Sequence, residues 1–290
     1  MGNALLVRRL KDHVRTLSQE IGNRDLLQIS QLRRAAAYIT QQFRESGYTV
    51  DAQLFEAQGQ RVANLIATRR GTRDPEETIL VGAHYDTCLN PGADDNASGI
   101  AGLLELARLL ANEPTARTVR FVAFTNEELP FFQTDTMGSL VYARAAKTRN
   151  ERLRATLILE MLGYYTDRPN SQQYPPLLGF FYPNRGNFIG VVGNRRNRSL
   201  VEEVVRSFKA HSAFPVESAS LPEFIEGVDW SDQWSFWKEG YPAVMITDTA
   251  FLRNPHYHQE SDTWETLDYE RMAAVVEGLH GVVKDLAADQ

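Results

Sequence analysis

The chain has 290 residues, a formal net charge of −6, 43% hydrophobic and 10% aromatic residues, and one cysteine. That is enough apolar material for one large core, and the acidic balance excludes a general nucleic-acid binder. With Cys88 alone no intrachain disulfide can form, and no apolar run approaches the roughly 18 residues a membrane span needs.

The start, MGNALLVRRLKDH, lacks the basic head and long apolar stretch of a signal peptide, and Leu6 stands where a myristoylation signal has Ser or Thr. The expected location is the cytoplasm if Met1 is the natural start, and secretion or the periplasm if a leader has been removed. No repeat, low-complexity tract or linker divides the chain, so one domain over residues 1–290 is expected.

Residues 4–20 and 29–46 have helical periodicity, with Leu10, Val14 and Leu17 on one face of the first and Leu32, Ala36, Ile39 and Phe43 on one face of the second. Gly47 stops the second helix. Residues 48–55 and 62–68 read as strands, an edge pair. Strands at 78–82, 119–124, 155–159, 188–192 and 243–247 then alternate with helices at 99–111, 137–147, 198–211 and 269–287. Short apolar strands alternating with helices predict an α/β fold with a largely parallel sheet covered on both faces. Two stretches interrupt this pattern: 164–187, rich in proline and aromatic residues, and 219–240, with Trp230, Trp234 and Trp237. Both are expected to be long loops or lids.

Acids and histidines collect after the apolar strands. His84 and Asp86, at i and i+2 on extended chain, point to the same side, which lets Asp86 orient or polarise His84. Asp94 and Asp95 lie in a tight turn that opens a helix. Capping explains such acids when they stand alone, but here the turn returns them toward His84, and a carboxylate can bridge two metals. Glu127 and Glu128 follow VRFVAFT, so one can ligate while the other carries protons. Glu160 ends the apolar ATLILE, where a buried carboxylate needs a cationic partner or a metal. His256 and His258 follow AVMITD, and either can ligate. Sites on parallel sheets form beyond the carboxyl ends of the strands. Five such deposits together predict a two-metal hydrolytic site.

The motifs HYD, GADDNASG and NEE and the late Tyr257–His258 with Asp262–Thr263 resemble the di-zinc aminopeptidase family, over residues 64–268. This family includes bacterial leucyl aminopeptidase, aminopeptidase S, aminopeptidase Y and the glutamate-carboxypeptidase-like peptidases. The resemblance implies a three-layer α/β/α sandwich around a mixed, mainly parallel sheet. It implies two Zn2+ ions sharing Asp95, with His84, Glu128, Glu160 and His258 as the other ligands, and not His256. It also implies Glu127 as general base, Asp86 as the acid behind His84, and peptide substrates cut at a free N-terminus. No nucleic-acid or membrane partner is expected.

Two residues depart from the family pattern. Glu160 stands where most members have Asp. Gln233, in WSDQWSF, stands where His is common, so its task passes to Tyr164, Tyr165 or Tyr257. Tyr257, Trp230 and Phe131 are candidate substrate contacts, and Phe132, Trp234 and Phe236 are further candidates for an apolar pocket. A one-zinc acyltransferase like glutaminyl cyclase and a non-catalytic binding module of the same fold are the alternatives. GADDN with both acids and an intact Asn-Glu-Glu favour the peptidase.

Overall fold

A computed structural model describes residues 2–288. Helix α1 (Gly2–Arg15) widens into a looser turn at 16–21 and is followed by α2 (Ile29–Glu45). Strands β1 (Val50–Ala57), β2 (Gln60–Arg69) and β3 (Asp74–His84) come next. Helix α3 (Gly99–Leu110), β4 (Arg117–Phe124), α4 (Gly138–Thr148) and β5 (Arg152–Glu160) continue the alternation. The chain closes with β6 (Ile189–Asn194), α5 (Arg198–His211), β7 (Val216–Leu221), α6 (Gln233–Lys238), β8 (Ala243–Thr247) and α7 (Tyr269–Ala287).

The eight strands form one mixed sheet in the order β1-β2-β4-β3-β5-β8-β6-β7. The central β4, β3, β5 and β8 run parallel to one another, so their carboxyl ends meet at a single edge. Hairpin β1–β2 is antiparallel. It is the edge pair expected from the sequence, and β2 joins it to the sheet through β4.

Side-chain alternation divides the core between the two faces. Ile79, Val81 and Ala83 of β3 join Phe121 of β4 and Leu157 of β5 against α1, α2, α3, α5 and α7. Leu80, Val122 and Ile158 point the other way, onto Tyr142 and Ala146 of α4 and Phe236 and Trp237 of α6. Both faces of the central strands are therefore dry, which is why these segments read as continuous apolar runs. Among the described residues, no helix is long and apolar enough to cross a membrane.

The expectation of a loop or lid over 219–240 is corrected. Strand β7 occupies its start, and α6 is core: Ser235 and Phe236 are fully buried. The 164–187 stretch has no strand or α-helix, as expected, and its Tyr174 and Tyr182 form part of a cavity wall. The fold is the α/β sandwich predicted from the strand–helix alternation.

Candidate metal centre

His84 is the last residue of β3, and β3 lies between β4 and β5, which end in Phe124 and Glu160. The ends of β3 and β5 and the loops leaving β3, β4 and β8 bring His84, Asp95, Glu127, Glu128, Glu160 and His258 together at the carboxyl edge. Asp95 Oδ1 lies 3.3 Å from His84 Nε2, and Asp95 Oδ2 lies 3.1 Å from His258 Nε2. His84 Nε2 is also 3.4 Å from Glu160 Oε2, and His258 Nε2 is 3.3 Å from Glu128 Oε1. One carboxylate thus faces two donor groups, His84 with Glu160 on one side and His258 with Glu128 on the other.

These atoms lack ordinary partners. Both ring nitrogens of His84, His258 Nε2 and Glu128 Oε1 are buried and make no hydrogen bond among the described residues. Buried polar atoms are rarely left so. Imidazole nitrogens and carboxylate oxygens are donors that zinc takes readily, so the residues present fit that metal.

The electrostatics agree. Burial pushes the Glu127 carboxyl well above the usual range; His84 opposes this, while Glu128 and Glu160 add to it. Burial and then Asp95 push Glu128 up to about 7, against His258. Burial also raises Glu160, against His84. Burial alone would lower the His84 imidazole, but Glu160, Glu127, Asp86 and Asp95 together hold it well above its ordinary value. Buried carboxylates outnumber the imidazoles, a balance that favours bound cations.

Local structure explains the placement. Gly92 opens the turn at φ +59, and a Cβ there would lie 2.3 Å from the Asp95 carbonyl oxygen. The carboxylate of Asp262 accepts the backbone N–H of Asp94 at 2.9 Å and of Asp95 at 3.1 Å. Asp94 turns away from the cluster: its oxygens accept from Gly163 N–H at 2.9 Å and Asn254 Nδ2 at 2.7 Å. Ser231 donates to Glu160 Oε2 at 2.6 Å. Asn126, Met161 and His258 have φ of +59, +55 and +56. Left-handed backbone is uncommon outside glycine, least so for Asn and His, and here it falls at or beside the cluster.

Asp86 stands 3.6 Å from His84 Nδ1, beyond hydrogen-bonding distance. Its oxygens instead accept the backbone N–H groups of Glu127 and Glu128 at 3.1 and 3.0 Å. Glu127 Oε2 is 3.9 Å from His84 Nε2. His256 bonds Ser261 at 2.9 Å and shares no ion pair with the cluster acids.

Beside the centre is a cavity of about 110 Å³ whose lining includes Glu160, Tyr257, Trp230, Phe251, Met245 and Val192. Tyr257 also stacks on His258 with ring centroids 3.8 Å apart. Phe131 is not in this cavity; it lines a separate cleft with Asp86 and Glu128. Phe236 packs in the core beside Phe124 and Tyr142, and neither Phe132 nor Trp234 lines the cavity. Gln233 is buried and donates to the Val228 carbonyl at 3.0 Å. Tyr165 spends its hydroxyl on the Leu162 carbonyl at 2.9 Å, whereas Tyr164 lies against His256. Of the three tyrosines, only Tyr257 lines the cavity.

Several contributors carry no local sequence signal. Fully buried Arg24 donates to the Tyr85, Pro91 and Gly92 carbonyls at 2.9, 2.7 and 2.7 Å, pinning both ends of the loop after His84. Asp262, Asn254 and Ser231 act across long sequence separations. The available signals are Asp262, in the late motif with Thr263, and Ser231 in WSDQWSF.

A family model, Peptidase family M28, matches residues 64–283. The chain belongs to Peptidase family M28. It is 41% identical to the Escherichia coli uncharacterized protein YfbL, over 93% of this chain and 85% of that protein. Its fold matches BSAP, a zinc aminopeptidase from Bacillus subtilis, with a TM-score of 0.78 at 15% identity, over 98% and 95% of the two chains. It also matches Fimbriiglobus ruber glutaminyl cyclase with a TM-score of 0.73 at 21% identity, over 96% and 94%. The fold alone therefore does not separate aminopeptidase from cyclase.

Proposed function

We propose that this family M28 peptidase is a two-zinc aminopeptidase. The observation that carries the reading is the split of Asp95, with Oδ1 toward His84 and Oδ2 toward His258. His84, Glu160 and Asp95 would hold one zinc, and Asp95, Glu128 and His258 the other. Zinc bound there supplies Lewis acidity toward a carbonyl and a water that ionises near neutral pH.

The chain's own residues do the rest. Glu127 is buried among acids that raise its proton affinity, so it can take a proton from water and hand it to the departing amine. Burial and the nearby carboxylates keep the Tyr257 hydroxyl protonated, which makes it a neutral donor for a developing oxyanion. The apolar cavity reaches Glu160 and accepts the first side chain, with Trp230 and Phe251 in its wall. Neither this cavity nor the cleft beside Phe131 is lined by lysine or arginine. A carboxyl-terminal substrate would want such a cation; a free ammonium group suits the carboxylates instead.

The test offers zinc-loaded protein aminoacyl chromogenic substrates and a peptide with N-terminal Gln, with and without chelator. Chelator-sensitive release from apolar aminoacyl substrates is expected. Cyclisation of the Gln peptide without release would overturn the reading.

A further inference from the structure

We infer that Cys88 supplies a sulfur ligand to the metal held by Glu128 and His258. The inference rests on the two-metal reading above. Cys88 lies in the loop after β3, half-buried and in no disulfide, beside His258. Its sulfur and one donor atom each of Glu128 and His258 all lie within 4.8 Å of one another. Two ligands on one zinc ion stand in about this relation, since Zn–S is about 2.3 Å and Zn–N about 2.0–2.1 Å.

A second observation points to a ligand in the same place. Glu128 is only 6% exposed, and its Oε1 makes no hydrogen bond although it faces His258 Nε2. The loop holding Cys88 is also fixed. Arg24 ties down the Tyr85 carbonyl on one side and those of Pro91 and Gly92 on the other. Thr87, the residue before Cys88, accepts the Arg24 backbone N–H at 3.0 Å and donates to Asn23 at 2.8 Å. The sulfur is therefore presented by a braced loop.

The second cluster, His84 with Asp95 and Glu160, contains no sulfur. The two sites are then chemically unlike. Coordination would release the thiol proton to solvent and place the sulfur lone pair on the metal, with no change of oxidation state. Thiolate favours zinc, cadmium and cobalt over magnesium or manganese, so the Glu128–His258 site should be the more thiophilic of the pair.

Cobalt(II) is the probe. The full-length protein, stripped of metal and titrated with cobalt, should bind two ions per chain. A near-ultraviolet thiolate-to-cobalt absorption should grow with one of the two. Cys88→Ser and Cys88→Ala should both lose that absorption and weaken one of the two sites by about 10-fold or more, on the scale of losses around metal ligands. Two bound cobalt ions without the absorption would overturn the sulfur ligand and leave the two-metal reading standing. An absorption that survives in both variants would also overturn it. A protein that binds no cobalt would overturn both.

Discussion

The carboxylate of Asp86 accepts the backbone N–H of Glu128 at 3.0 Å, and with its other oxygen that of Glu127 at 3.1 Å. Asp86 thus acts first on the acid-bearing loop after β4 and only at 3.6 Å on His84. Replacing it by alanine strands two buried donors, each costing about 1–3 kcal/mol. Asp86→Ala should lower thermal stability and, by loosening Glu128, weaken metal binding about 10–100-fold. Metal titration followed by calorimetry checks both. Asp86→Asn, which keeps one acceptor oxygen, should fall between.

Glu127 differs from its neighbour in what its loss should do. Glu127→Gln keeps shape and removes the proton carrier. We expect kcat to drop about 10²–10⁴-fold, with metal content and melting temperature nearly unchanged. Steady-state kinetics beside metal analysis of the same preparation measures this. Unchanged kcat would remove Glu127 from the chemistry.

Arg24 predicts a stability effect. Burial lowers its pKa to about 10, against the pull of Asp262, Asp86, Asp95 and Glu128, so it stays charged at neutral pH. It serves the Tyr85, Pro91 and Gly92 carbonyls together. Arg24→Met keeps the bulk but leaves those carbonyls bare and the carboxylates less compensated. A loss of about 3–5 kcal/mol is expected, read from denaturant unfolding.

Away from the site, Glu105 is fully buried and takes hydrogen bonds from Arg9 at 2.7 Å and Arg108 at 2.9 Å, with His13 Nε2 at 3.2 Å. Burial alone would raise its pKa, but His13, Arg9 and Arg108 outweigh it and hold the carboxyl at about 2, against 4.5 ordinarily. A depressed carboxylate contributes stability in full above the unfolded value. That stability is lost as pH falls from about 4.5 through about 2. Wild type should therefore exceed Glu105→Gln in melting temperature at pH 7, and the gap should close on acidification through that window. A gap independent of pH would contradict the pairing.

The ligand-bearing motifs were readable because each follows a strand of the parallel core. Apolar runs ending in His84, Glu160 and the Glu127–Glu128 pair mark the edge where such strands end together. The contacts of supporting residues are hidden because their partners are distant in sequence: Asp262 reaches back to Asp95, Asn254 to Asp94, and Ser231 to Glu160. Strand β7 was missed because VESASL borders the sheet, with Val216 its only buried residue, so it shows no apolar run. Short α6 lay hidden among tryptophans whose role as core or lid depends on packing. Phe131 and Trp230 line different hollows beside the centre, and composition does not reveal which side an aromatic ring occupies.

The central claim is that Asp95 stands between two metals. An anomalous-scattering map of zinc-loaded crystals tests it most directly. Two peaks are expected, one between Asp95 Oδ1, His84 and Glu160 and the other between Asp95 Oδ2, His258 and Glu128. A single peak, with the second group of ligands empty at saturating zinc, would contradict the account.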